Sequence, residues 1–290
     1  MSELNKKMYY RTLLEFLESV KITDKQDKSY THTSMGDLEN NKPPCKYKIP
    51  PNKYEFFYNL YNKWIFQWGE EESLTERHHE EYSPVLIDLD FRYNDSDNKK
   101  RKYKIDDLML FLDYYFELLS NYLDIDESQK VAFIMEKSGP SFDKKKNIMK
   151  DGIHIIMPYI ISKYDPLFLV RLDMIKNLEI KQKFIDLGFT NPIEDIIDEA
   201  VIKRNNWFMY GSSKPNKESY KITNILKIED GILKIDELSN LNLTDLELTK
   251  LLSVSNINTK YICNIKNKEE VSKKIKKIEG NKKKSRVKLI

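Results

Sequence analysis

Alanine is almost absent from this chain of 290 residues, occurring only at Ala132 and Ala200, and there are only eight glycines. Lys, Asn, Ile and Tyr are abundant instead, a bias that reads as codon usage and not as a property of the fold. The two cysteines, Cys45 and Cys263, stand far apart with no C-x-x-C spacing. That argues against a disulfide framework or a cysteine zinc cluster and suits a reducing compartment. No apolar run reaches the ~18 residues of a membrane span, and the opening MSELNKKMYY lacks the apolar core of a signal peptide. The G-x-x-x-x-G-K-[ST] phosphate loop is missing too, so no Walker-type motor is written in these residues. These absences point to a soluble, intracellular protein with no membrane partner.

What is present is ordinary for a globular protein: 40% hydrophobic and 33% charged residues, enough to build one large domain or two small ones. The charge is segregated. Residues 264–290 hold eleven Lys or Arg against three Glu, a net of +8, which leaves −5 on residues 1–263 out of an overall +3. The basic tail is expected to be a solvated, disordered terminus or linker, or a contact for nucleic acid.

Apolar spacing predicts helices over residues 4–20, 50–68 and 105–123, the last capped by Asp106 and Asp107. A further helix is expected from Tyr164, where Asp165 and Pro166 form a start signal. Strands are expected at 84–92, 130–136 and 152–158, with a flexible loop over 137–150. Two short strands should flank GSSKPNK as a hairpin, and 238–253 reads as a small helical unit. Strands and helices mix without steady βαβ alternation, which indicates an α+β fold.

Three stretches carry chemistry. In VLIDLDFRY, residues 85–93, strand alternation sets Asp88, Asp90 and Arg92 on one face and Val85, Ile87, Leu89 and Phe91 on the other. Two carboxylates side by side in a buried-looking strand call for a positive partner, and a divalent metal ion is the leading candidate. In KDGIHII, residues 150–156, Gly152 leaves room for a phosphate or sugar to approach the backbone, flanked by Lys150 and His154 as donors. In IIDEAVIKRNNWFMYGSSKP, residues 196–215, Asp198 offers a third carboxylate. Arg204, Asn205, Asn206 and Lys214 are donors for phosphate and sugar oxygens, and the turn holding Ser212 could present backbone N–H groups to a polyphosphate. Each stretch alone also fits a structural role: an edge-strand pair, a core histidine, a basic surface hairpin.

In this order the three resemble the motifs of the archaeo-eukaryotic primase superfamily. They are most similar to the primase domain in the primase–helicase proteins of nucleocytoplasmic large DNA viruses, and more distantly to PrimPol enzymes. PVLIDLDFRY looks like the first motif, KDGIHIIMP the second and IIDEAVIKRNNWFMYGSSKP the third, while THTSMG and KYKIPPNKYEFFYNLY look like the upstream segment. The likeness spans about residues 28–226. It implies an N-terminal αβ unit packed on an RRM-like unit, with the active site between them. Residues 1–226 would be the catalytic domain, 227–263 a small accessory region and 264–290 a basic tail.

The resemblance also implies that Asp88, Asp90 and Asp198 bind Mg²⁺ or Mn²⁺. Lys150, Gly152 and His154 would hold the incoming nucleotide's phosphates, and Lys214 would close the third motif. Arg92 and Ser212 are placed with the nucleotide, Arg204 and Asn205 with nucleic acid. Where many relatives carry serine this chain has Gly152, so a side-chain phosphate contact is missing. The implied activity is primer synthesis on single-stranded DNA from NTPs or dNTPs in viral replication. A helicase would act on the same or a partner chain, and the host cytoplasm is the expected site. Two other readings remain at this point: a catalytically silent nucleic-acid-binding domain that recruits a helicase, and a D-x-D glycosyltransferase.

Overall fold

The computed structural model describes residues 13–37, 39–94 and 100–287, with side chains to residue 280. The first part of the helix expected over 4–20 lies outside these residues. Its remainder, residues 13–19, is helical (α1). Two short strands follow, β1 (His32–Ser34) and β2 (Cys45–Tyr47). Helix α2 (Tyr54–Asn62) is entered through a 3₁₀ turn at Pro51–Lys53 and left through a π-helical turn at Lys63–Gln67. Strand β3 (Leu74–Glu76) pairs with β1, and β8 (Trp207–Phe208) later adds to β3, giving a four-stranded antiparallel sheet in the order β2-β1-β3-β8. Phe57, Leu60, Tyr61, Trp64 and Leu74 form the core of this smaller unit.

The larger sheet is built on two long strands. β4 (Tyr82–Tyr93) and β7 (Ile148–Lys163) pair antiparallel, with a register shift at Pro84/Val85 that accommodates the proline. β5 (Val131–Glu136) lies beyond β7, then β9 (Lys221–Glu229) and β10 (Ile232–Asp236) in the order β10-β9-β5-β7-β4. The loop expected over 137–150 contains β6 (Ser141–Asp143), a short hairpin arm on β7. The hairpin expected around GSSKPNK is not one: β8 joins the small sheet and β9 the large one. Segment 209–220 therefore ties the two sheets together. Mixed helices and antiparallel sheets make the protein α+β, as its sequence indicates.

The large sheet has two different faces. On its back, Ile87, Leu89, Phe91, Ile153 and Ile155 are buried against α3 (Ile105–Tyr122) and α4 (Tyr164–Met174). α3 begins where the Asp107 carboxylate accepts the Lys104 amide at 2.8 Å, so one of the two expected caps is in place. Helix α5 (Leu178–Asp186) and the short turns α6 (Ile193–Ile196) and α7 (Ala200–Lys203) complete this side and lead to the third motif. On the front, Leu86, Phe133, Ile156 and Ile225 meet α8 (Asp245–Leu251), leaving the other end of the face open.

Two expectations about the C-terminal part need correction. The division expected after residue 226 falls inside β9, and Leu248, Leu252 and Val254 belong to the front core. The basic tail contains a helix, α9 (Lys268–Val287), whose Val271, Ile275 and Ile278 pack on the back layer, away from Asp88 and Asp90. An apolar residue every three or four positions gives even this lysine-rich segment a stripe to bury. Among the described residues no helix is long and apolar enough to cross a membrane.

The segment joining the sheets depends on Gly211. Its φ is +90°, and a Cβ there would lie 2.7 Å from Ile65 Cγ2 and 2.9 Å from Phe66 Cζ. Gly211→Ala should therefore destabilise the fold by about 2–4 kcal/mol through left-handed strain and overpacking. Urea unfolding midpoints check this, and a change below ~0.5 kcal/mol, the range of an inert surface substitution, would contradict it.

Candidate active site

The register of β4 against β7 assembles the first two motifs on one surface. Asp88 lies opposite His154, Asp90 opposite Gly152 and Arg92 opposite Lys150. Directly opposed residues of antiparallel strands point to the same face, so all six stand on the front of the sheet. The third motif arrives along the edge of β4. Leu89 bridges Ile197, and the Asp198 amide donates to the Asp88 carbonyl at 3.0 Å. The Asp198 carboxylate turns back to accept the Ala200 amide at 2.9 Å.

Three carboxylates from two separate segments thus share one end of the sheet face. Burial, then the negative charges of Asp90 and Asp198, push the Asp88 carboxyl well above the usual range; Lys214 and Lys137 offset this only in part. Asp90, which opens to the cleft, is also raised, by restricted solvent and by Asp198, against Arg92, Lys214 and Lys150. Asp88 Oδ1 is shut off from solvent without a hydrogen-bond partner. Among the described residues no three His, Cys, Asp or Glu side chains already converge as a metal-ligand set. The orphaned Oδ1 and the raised carboxyls are nonetheless the features that fit a hard divalent cation with oxygen ligands.

The second motif is arranged differently from its expected role. His154 is stacked on Tyr220, centroids 3.7 Å apart at 16°, and packs against Trp207 at 4.6 Å. Burial, with the charges of Lys137 and Lys214, pushes its imidazole down to about 3, so it is neutral near pH 7. Its Nε2 stands 3.7 Å from Asp88 Oδ1, beyond hydrogen-bond range. The space above Gly152 is not empty: a Cβ there would lie 3.0 Å from the Tyr220 hydroxyl and 3.3 Å from the Leu89 carbonyl. In this structure the glycine makes room for Tyr220, not for a phosphate. Lys150 is paired with Asp143 at 2.6 Å and Arg92 with Asp195 at 3.8 Å. Neither lines the cleft, although both lend positive charge to Asp90.

The cleft, of about 590 Å³, is lined by Thr75 and Trp207 of the small sheet, by Asp88, Asp90 and His154 of the large one, and by Lys137, Arg204, Lys214 and Tyr220 from the connecting segments. Lys214 lines it without a carboxylate partner among the described residues. Arg204 is exposed, 4.0 Å from Glu199, and Asn205 is among the lining residues while its carbonyl pairs with His78 at 2.9 Å. Ser212 lines the same cleft, but its polar groups are already engaged. Its hydroxyl meets the Tyr61 hydroxyl at 2.8 Å and accepts the Leu74 amide at 3.2 Å, while its own amide bonds the Met209 carbonyl at 2.9 Å. The Ser213 amide is likewise taken, by the Glu72 carbonyl at 2.9 Å. Asn206 donates to Thr33 and Thr75, each at 3.2 Å, and so holds the small sheet together.

Lys137, Trp207 and Tyr220 were not marked as site residues by the sequence. Lys137 follows a strand and Tyr220 precedes one, which is the place from which side chains reach a cleft. Only the pairing of β5 with β9 brings them together.

Residues 31–226 match the model of the C962R protein N-terminal AEP domain, where AEP denotes archaeo-eukaryotic primase. The chain is also 33% identical over 190 residues to a protein of Acanthamoeba polyphaga mimivirus named "Putative helicase L207/L206". That alignment covers 66% of this chain but only 19% of the mimivirus protein. With the match spanning more than half of its residues and every motif carboxylate falling inside it, the chain belongs to the C962R-type N-terminal domain family of the archaeo-eukaryotic primases.

Proposed function

We propose that this chain is the catalytic primase–polymerase domain of a viral replication protein, joining nucleotides on a single-stranded DNA template. The observation that carries the reading is the segregation of charge in one cleft: Asp88, Asp90 and Asp198 on its floor, Lys214 free of a carboxylate partner on its wall. A bare cluster of carboxylates repels a triphosphate. Only as cation ligands do they suit nucleotidyl transfer, and the adjacent lysine then suits the phosphates.

Asp88, Asp90 and Asp198 would hold Mg²⁺ or Mn²⁺, which when bound activates the 3′-hydroxyl and neutralises charge on the departing pyrophosphate. The chain's own residues do the rest. Lys214 binds and orients the triphosphate. His154, being neutral, donates a hydrogen bond in place of charge and is held in one orientation by Tyr220 and Trp207. The exposed Arg204 and Asn205, both lining the cleft, would face the template. Duplex opening would fall to a helicase, on the remainder of a longer chain or on a partner; the relative's name and its greater length support this. The D-x-D glycosyltransferase reading leaves His154 and Lys214 without a role and does not fit the family.

Incubation with single-stranded template, Mn²⁺ or Mg²⁺ and labelled nucleotides should give metal-dependent products longer than a dinucleotide. Asp88→Asn should abolish them while leaving template binding intact. Template binding without synthesis by the unaltered chain would establish the silent nucleic-acid-binding domain instead. Lys214→Ala and His154→Ala should each weaken nucleotide binding by about 1–3 kcal/mol, the cost of a lost polar or charge-assisted contact, with little effect on template affinity. Unaltered nucleotide affinity in both variants would remove them from the site.

A further inference from the structure

Lys137 lies outside all three sequence motifs, yet it is the cation most tightly built into the cleft. Its backbone is held on both sides: the Arg101 guanidinium donates to its carbonyl at 2.9 Å, and Glu218 accepts the Ser138 amide at 3.0 Å and hydroxyl at 2.7 Å. Arg101 is itself fixed by Asp151 at 3.0 Å and Glu136 at 2.5 Å. The Lys137 ammonium stands 4.8 Å from the centre of the Tyr220 ring, and that ring is stacked on His154. No carboxylate lies within ion-pair distance of it among the described residues. Burial and the nearby charges of Lys214 and Lys217 disfavour its ammonium form, while Asp88 and Glu218 favour it.

An ammonium on a fixed backbone, seated over an aromatic ring and lining the same cleft as a second lysine, with no ion-pair partner of its own among the described residues, is an arrangement that an anion completes. An aromatic face beneath it fixes its position without neutralising it. We propose that Lys137, seated on Tyr220 and facing the same cleft as Lys214, is a binding residue for the phosphates of the incoming nucleoside triphosphate. This rests on the nucleotidyl-transfer reading of the cleft. It adds a ligand from the end of β5, so the triphosphate would be gripped from the large sheet as well as from the third motif.

Binding of Mn²⁺·dATP and of Mn²⁺·tripolyphosphate is measured by calorimetry for the unaltered chain, Lys137→Ala and Lys137→Arg, with thermal melts to confirm folding. Lys137→Ala should weaken both ligands by about ten- to a hundredfold and by the same factor, because the contact is to phosphate alone. Lys137→Arg should restore most of the loss, which also keeps the test decisive if the alanine variant folds poorly. Mn²⁺ affinity without nucleotide should not fall. Equal triphosphate affinity in the unaltered and alanine forms would overturn the proposal and leave the proposed function standing. A loss confined to dATP would also overturn it, as would a change confined to Mn²⁺ affinity, which would make Lys137 a counter-charge to the carboxylates. Failure of the unaltered chain to bind either ligand would overturn both readings.

Discussion

Repulsion among three carboxylates, held together at one end of a sheet face, sets the terms for the rest of this structure. Asp88 and Asp90 cannot move apart, because each is fixed by backbone pairing to β7, and Asp198 is tied to Asp88 through a main-chain hydrogen bond. The lysines that approach them reduce the repulsion without cancelling it. Such a site persists only where the surrounding fold is stable enough to carry its cost. Here the opposite face of the same two strands contributes Ile87, Leu89, Phe91, Ile153 and Ile155 to the largest apolar core of the molecule. Strand alternation makes one pair of strands serve both ends.

Polar groups on the back of the sheet are treated in the opposite way. Glu136 and Asp151 are buried there, yet Arg101 bonds both, and Tyr103 and Thr223 donate to Glu136. A buried acid whose lone pairs are satisfied rigidifies its surroundings. Through the Lys137 carbonyl this network also fixes the rim of the cleft on the front. Neighbouring register positions on the two faces of the sheet thus hold a satisfied pair of acids and a set that is not fully satisfied. The unsatisfied ones face the cleft, which is where unmet charge is expected in a binding site.

Much of this was legible in the sequence, for reasons that can be named. Alternation in VLIDLDFRY fixes which side chains share a face whatever the strand pairs with, so Asp88, Asp90 and Arg92 were placed correctly from spacing alone. The α+β class followed from the mixed periodicities. What the sequence left hidden depends on long-range pairing. Gly152 looked like an opening for a ligand because nothing local shows that Tyr220, distant in sequence, fills it. Ser212 looked like a phosphate ligand because its bonds to Tyr61 and Leu74 are distant in sequence. His154 looked like an open phosphate donor until its burial between two rings was visible. The lysine-rich C-terminal segment looked disordered because its composition outweighs a sparse apolar stripe that only the back layer can use.

The central claim is that the carboxylates of the cleft are incomplete without a divalent cation, and pH separates it from alternatives. With its carboxyl pKa raised in the fold, Asp88 contributes most to stability below the ordinary carboxylate range. That contribution is lost as pH rises through the raised value. A bound cation replaces the proton, so its stabilising effect should grow as pH rises. The decisive measurement is thermal unfolding of the unaltered chain and of Asp88→Asn, with chelator or with Mn²⁺, from about pH 5.5 to 8.5. The account predicts that Mn²⁺ raises the melting temperature of the unaltered chain increasingly with pH. In chelator the variant should melt higher than the unaltered chain at neutral pH and gain little from the metal. Equal stabilisation of both proteins by Mn²⁺, or none at any pH, would contradict it.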